Sequence, residues 1–311
     1  MYHPCRYDPG PVIFFLKKDE KKTELLLRRE SVSAMMKQKK NARPDRPTGA
    51  ERRKRGRRME LRLDLHVHSA QSIDGQMSLG EIIDAARSRG LDGVAVCEHD
   101  RLFQPDEELE VPENFLLIPG EEFTTEFGHV LGLFLTKEIP YRMCEYGAAE
   151  EAIFENVEYL CASIHEQGGL CVVAHPFKSD RSADRLLPIL GWIDGIETWN
   201  ARAGSRYPEA NSMAALFARI HRLPAFAGSD AHLKQEVGNG FVTVEAEARS
   251  PEAVREALKR LGNPVSGDNC QRKNLAKSQY IYLKNTNAGS FRYLKWSAFA
   301  LRCAVRDLLH R

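Results

Sequence analysis

From Met59 onward the chain alternates two hydrophobic periods. Leu61–His68 (LRLDLHVH) places apolar residues at every second position, the signature of a half-buried strand. Leu79–Arg89 follows with helical spacing; Ser78 reads as its N-cap and Glu81 falls in its first turn. Gly93–His99 (GVAVCEH), Phe115–Phe123 and Gly128–Leu135 read as the next strands. Ala148–Gln167 has the pattern of a long helix, stopped by Gly168-Gly169. Leu170–His175, Gly195–Trp199, Pro224–Asp230 and Phe241–Glu245 read as further strands, with helices at Pro208–Arg222 and Pro251–Leu261 between or after them.

Repeated strand-then-helix order predicts an α/β fold, with parallel strands and helices packed outside them. An open doubly wound sheet normally carries a glycine-rich phosphate loop after its first strand. Here the first strand ends in His66-Val-His68-Ser69 instead. That favours closure into a TIM-like barrel.

Charge divides the 311-residue chain into three parts. Residues 1–58 carry 18 Lys/Arg against 7 Asp/Glu, residues 59–268 carry 18 against 35, and residues 269–311 carry 9 against 1. The acidic body, 59–268, is the expected barrel. Residues 1–58 contain the Arg- and Pro-rich run Arg43–Arg58, which has no core-forming period. They are expected to be a disordered basic leader; a stretch preceding the true start of translation and a nucleic-acid-binding arm are the competing readings. Residues 269–311 form a basic tail with a helical stretch at Tyr293–Leu309. It is expected to pack its apolar face on its own domain, with contact to a membrane surface or to RNA as alternatives. Seven scattered cysteines without a C-x-x-C pair argue against a disulfide framework or a Cys-rich zinc site. No apolar run is long enough to span a bilayer, and Pro11–Leu16 is too short for a secretory signal. The expectation is a cytoplasmic protein.

Chemistry is concentrated where strands end. His66 and His68 close the first strand, Glu98 and His99 the second, and Glu122 the third; His175, Asp230 and His232 close later ones, and His129 stands beside another. In barrels of this class, strand ends converge on the active face. An H-x-H pair puts two imidazoles on one side of a strand. Singly, each residue has an ordinary explanation, such as a turn at Asp74-Gly75 or a core histidine at His175. Their recurrence at successive strand ends has none in core packing, because buried carboxylates are costly unless paired or coordinated. Imidazole with carboxylate is a donor set for Zn²⁺, Mn²⁺ or Fe²⁺.

The ordered string Asp64-Leu-His66-Val-His68-Ser69, Ser72-x-Asp74-Gly75, Glu98-His99-Asp100, Gly120-x-Glu122, Gly128-His129, Ala174-His175-Pro176 and Gly228-Ser-Asp230-Ala-His232 resembles the PHP (polymerase and histidinol phosphatase) family. Trp199-Asn200-Ala-Arg202 through Glu209-Ala-Asn211 to Asp230 is similar to the segment that ends its small phosphoesterase members. The resemblance covers Met59 to about Asp268. It implies a distorted (β/α)7 barrel holding two or three divalent metal ions. His66, His68, Glu122 and Asp230 would hold the first ion and the water it activates for catalysis. Glu122, His129 and His175 would hold the second, and Asp74, His99 and His232 a third. Glu98 stands where many members have Asp.

The expected activity is hydrolysis of a phosphate mono- or diester in a small phosphorylated substrate, a nucleotide or short RNA end. Arg202 is the expected phosphate clamp and Arg101 a weaker candidate. A histidinol-phosphate phosphatase or C–N hydrolase is the alternative on the same barrel. A non-catalytic nucleic-acid-binding protein with structural metals is the alternative of another class.

Overall fold

The computed structural model describes residues 58–105, 110–140, 156–179 and 183–309; the leader, and the first part of the helix expected at Ala148–Gln167, lie outside them. The strands are β1 (Met59–Val67), β2 (Gly93–His99), β3 (Leu116–Thr125), β4 (Gly128–Leu133), β5 (Leu170–Val173), β6 (Gly195–Asn200), β7 (Ala225–Gly228), β8 (Gly240–Ala246) and β9 (Val265–Gly267). The α-helices are α1 (Leu79–Ser88), α2 (Val157–Glu166), α3 (Ala201–Arg206), α4 (Ala210–His221), α5 (Pro251–Leu258), α6 (Arg272–Asn285) and α7 (Ser290–Leu309). Ser78 caps α1 as expected, in a reciprocal capping box with Glu81.

The described strands form one sheet in the order β7-β6-β5-β4-β3-β2-β1-β8-β9. Its two arms curl until β1 meets β7. Val67 bridges Ala231, the His68 amide donates to the Ala231 carbonyl at 2.8 Å, and the Asp230 amide donates to the His66 carbonyl at 2.8 Å. Seven strands thus make a nearly closed barrel, with β8 and β9 as an antiparallel extension of β1. Within the barrel itself, one strand departs from the all-parallel expectation. β4 runs antiparallel to both β3 and β5, because only Glu126 and Phe127 separate it from β3. A connection that short makes a hairpin and cannot carry a crossover.

The interior is filled by Leu61, Leu63, Leu65, Ala95, Cys97, Ile118, Leu131, Leu133 and Val172. Outside it, α1 packs Ile82 and Ala86 against Val94 and Val96. α2 and α4 cover the far side with Leu160, Ile164, Ala214 and Phe217. Cys97 is buried, and burial raises its thiol pKa well above the usual value, consistent with a packing role. The cysteine expectation needs one correction. Cys161 of α2 and Cys171 of β5 form a disulfide, because the helix packs its Cys161 face on the strand that follows it.

Three elements went unread in the sequence. α3 and β9 are short. α6 buries Asn274, Ala276, Ser278, Ile281 and Leu283, a face too polar to show as a hydrophobic stripe. Among the described residues no helix is long and apolar enough to cross a membrane.

Candidate metal centre

Side-chain alternation carries the interior upward into the site. On β2, His99 continues the inward face of Ala95 and Cys97; on β3, Glu122 continues that of Ile118. β4 runs the other way, so its first residues lie at this end, and His129 continues Leu131 and Leu133. β1 breaks the alternation. A register shift between Asp64 and Val67 accompanies the turn of His66 and His68 into the same space. Asp230 has φ 55° and His175 φ 25°, backbone values unfavourable for any residue with a Cβ. Such strain persists only where surrounding structure enforces it. Here the Asp230 amide is tied to β1 and the His175 amide donates to Glu197 Oε2 at 2.7 Å.

The nine expected ligands form one cluster with Glu122 at its middle. Its Oε1 lies 2.5 Å from His129 Nδ1 and 2.8 Å from His175 Nε2. Its Oε2 lies 3.3 Å from both His66 Nε2 and His68 Nε2, and 2.9 Å from His99 Nδ1. Asp230 Oδ1 is 3.5 Å from His68 Nε2, and its Oδ2 is 3.9 Å from His175 Nε2. Asp74 reaches His232 Nε2 at 3.0 Å and His99 Nε2 at 3.5 Å. Four overlapping sets have donor atoms within 4.8 Å of one another: His66/His68/Glu122, His66/His175/Asp230, His99/Glu122/His129 and His68/His99/His232.

These groups fit divalent ions on the chemistry of the donors alone. His66 Nε2 and His68 Nε2 face each other at 3.1 Å, an approach that needs a proton or a cation between the lone pairs. Glu122 Oε2 and Asp74 Oδ1 are buried yet accept no hydrogen bond of proper geometry. The charges are correspondingly displaced. Burial acts to neutralise Glu122, but His129, His66 and His99 overcome it and hold the carboxyl well below its usual range. Asp230 is likewise held well below, against burial, chiefly by Lys178 and His66. Burial would lower His99, yet Glu122 and Asp74 lift it to about 9. His175 and His232 go the other way, to about 3, through burial and the nearby cations Lys178 and Arg202 respectively.

A second layer of residues orients the first. Glu197 Oε1 is 3.1 Å from His66 Nδ1, while its Oε2 also accepts from Asn200 Nδ2 at 3.0 Å. Ser72 Oγ lies 3.2 Å from His68 Nδ1 and donates to Glu98, whose carboxylate also accepts the Ser69 amide. Glu98 therefore holds the loop after β1. His232 Nδ1 faces the Asp230 carbonyl at 2.9 Å. Asp64 accepts from the Ser229 amide and hydroxyl and from the Gly238 amide, and burial lifts its pKa to about 6. Gly228 is required by proximity: a Cβ there would stand 2.2 Å from the His66 Cβ.

The two arginines behave differently from expectation. The Arg202 fork is taken up by Glu236, from Nε and Nη2 at 3.3 Å each, and by Ser278 at 2.8 Å. Buried and paired in this way, it braces Glu236, which in turn accepts the amides of His232 and Leu233. Arg101 is exposed on the loop after β2 and does not line the cavity beside the site. Two residues escaped the sequence reading. Lys178 places Nζ 3.1 Å from Asp230 Oδ2, and no periodicity marks it. Glu197 carried a legible signal, a lone carboxylate inside the buried strand Gly195–Asn200.

With this geometry in view, the comparisons are consistent. Residues 64–167 match the family model of the PHP domain, and residues 208–261 match the PHP-associated model. A Methanocaldococcus jannaschii protein, uncharacterized protein MJ0417, is 30% identical over 189 residues, which cover 58% of this chain and 70% of that protein. The chain belongs to the PHP family. A second M. jannaschii protein, MJ1587, is 28% identical over 155 residues, 45% of this chain and 82% of its own. Among solved structures, the PHP fold is shared with a two-domain protein from Bacteroides vulgatus ATCC 8482, described as containing a predicted PHP-like metal-dependent phosphoesterase. That match has a TM-score of 0.51 at 20% identity, covering 72% of this chain and 70% of the other. Both PHP segments carry candidate ligands: His66 to His129 lie in the first, Asp230 and His232 in the second.

Proposed function

We propose that this PHP protein is a metal-dependent hydrolase of phosphate esters, acting on a small phosphorylated substrate such as a nucleotide or short RNA end. One observation carries the reading. The two oxygens of Glu122 face separate imidazole groups, His129/His175 and His66/His68/His99, as a carboxylate bridging two cations would. The Bacteroides protein of the same fold, described as containing a predicted PHP-like metal-dependent phosphoesterase, supports it.

Divalent ions, when bound, supply a water whose pKa falls from 15.7 to about 7 and neutralise charge at the phosphoryl group. His66, His68, Glu122 and Asp230 would hold one ion, Glu122, His129 and His175 another, and Asp74, His99 and His232 a third. Glu197 and Ser72 keep the Nε2 atoms of His66 and His68 directed inward by engaging their Nδ1 atoms. Lys178 puts an ammonium beside Asp230, within reach of a phosphoryl oxygen, and lines the adjoining cavity with Asp74. The pocket wall therefore offers positive charge where the transferred group gains negative charge.

The test combines metal analysis of the purified protein with phosphate release from mononucleotides, 3′,5′-bisphosphates and histidinol phosphate in the presence of Mn²⁺. Expected are two or three equivalents of metal and release from at least one substrate, abolished by His68→Ala. A metal-loaded protein that hydrolyses none of them while retaining RNA binding would establish the non-catalytic reading instead.

A further inference from the structure

α6 and α7 do not stand apart from the centre. The Arg202–Ser278 bond, the donation of Gln235 Nε2 to Asn274 Oδ1 at 3.2 Å, and that of Arg272 Nε to the Ser205 carbonyl at 2.9 Å fasten α6 to α3 and to the turn that follows His232. α7 is fastened to α6. Asp307 accepts the amides of Arg272 and Lys273, and Trp296 Nε1 donates to the Ala276 carbonyl. Between these helices, α3 and the centre lies a cavity of about 490 Å³, the size of a small-molecule site.

Its floor includes Asp74, and its walls are two helix faces of regular spacing. α6 presents Leu275, Ser278, Gln279 and Tyr282; α7 presents Phe299, Arg302, Cys303 and Arg306. Arg206, at the end of α3, and Arg272, at the start of α6, complete the lining. Lys178 and Arg202 on the floor are paired with Asp230 and Glu236. The other four guanidiniums have no ion-pair partner among the described residues. Four like charges turned on one cavity repel each other, and planar forks of this kind match phosphate oxygens two at a time. Among the described residues the only carboxylate lining the cavity is Asp74, which faces His99 and His232, and the nearby Asp307 is taken up by the amides of Arg272 and Lys273.

We infer that Arg206, Arg272, Arg302 and Arg306 form an anion subsite for a second phosphate of the substrate, held while a first phosphate reacts at the neighbouring centre. The inference rests on the phosphoesterase reading for its substrate class, but the subsite can be tested without turnover. α6 and α7 lie outside both matched family segments, so three of the four arginines come from helices that follow those segments, and Arg206 comes from α3. A volume of about 490 Å³ suits a small molecule with two phosphates, in a phosphodiester link or on a sugar, better than a duplex.

The experiment uses the full chain and the double variant R302Q/R306Q, two exposed positions whose replacement leaves the helix pattern intact. In EDTA, calorimetric titration with pyrophosphate should show one site on wild type and on His68→Ala, weakened tenfold or more in R302Q/R306Q. Absence of pyrophosphate binding, or equal binding to all three proteins, overturns the subsite whether or not the enzyme turns over. With Mn²⁺, kcat/KM is then compared for p-nitrophenyl phosphate, a 5′-phosphorylated dinucleotide and fructose 1,6-bisphosphate. The ratio of a two-phosphate substrate to p-nitrophenyl phosphate should fall at least tenfold in the variant, mainly through KM. Which two-phosphate compound responds identifies the source of the second phosphate. An unchanged ratio with active enzyme refutes its use in catalysis. Loss of all hydrolysis in wild type, with pyrophosphate binding intact, counts against the phosphoesterase reading alone.

Discussion

Glu197 touches no expected substrate, yet replacing it with glutamine should impair the centre. Its Oε1 faces His66 Nδ1 at 3.1 Å, and its Oε2 accepts from the His175 amide at 2.7 Å and from Asn200 Nδ2 at 3.0 Å. A carboxylate accepts on both sides; an amide accepts on one and donates on the other. If the glutamine nitrogen faced His66, Nδ1 would have to accept, which moves the ring proton to Nε2 and removes the lone pair that a metal ion would need. If the nitrogen faced His175 and Asn200 instead, it would oppose two donors. Either orientation leaves one contact broken in a buried site. Loss of such an orienting partner typically costs 10–100-fold in metal affinity, about 1.4–2.7 kcal/mol. Titration of metal-free Glu197→Gln with Zn²⁺ or Mn²⁺ should show that loss, with circular dichroism unchanged. Wild-type affinity in a folded variant would refute the assigned role of Glu197 in fixing His66.

Three further outcomes are expected. Gly228→Ala forces a Cβ to 2.2 Å from the His66 Cβ and 2.8 Å from Glu197 Oε1, so unfolding free energy should fall by about 1–3 kcal/mol and metal content should drop; unchanged values in denaturant titration and metal analysis would contradict the packing. Burial raises the Asp64 carboxyl from 3.8 to about 6, so the stability linked to its protonated form is complete below 3.8 and lost as pH rises through 6. In EDTA, the stability advantage of wild type over Asp64→Asn should therefore shrink by up to about 3 kcal/mol from pH 4 to pH 7, as urea unfolding would reveal; a pH-independent difference would exclude it. Metal removal should lower Tm, because an ion at 100 times its Kd contributes about 2.7 kcal/mol to the folded state; scanning calorimetry with and without EDTA checks this.

Local chemistry made much of the molecule legible in advance. Period-two alternation marked β1, Ser78 as N-cap with an acidic residue in the first turn marked the start of α1, and ionisable residues at successive strand ends marked the candidate centre. These signals are written in neighbouring residues, so no distant contact is needed to see them. Tertiary structure alone decided which distant groups meet. The reversal of β4 brings His129 to Glu122, the meeting of β7 and β1 sets Glu197 beside His66, and Glu236 captures the Arg202 fork. α6 was hidden because its buried face is polar, and its Ser278 gains meaning only against Arg202. A side chain's type and period are properties of a short stretch, whereas its partner is fixed by the closure of the whole sheet.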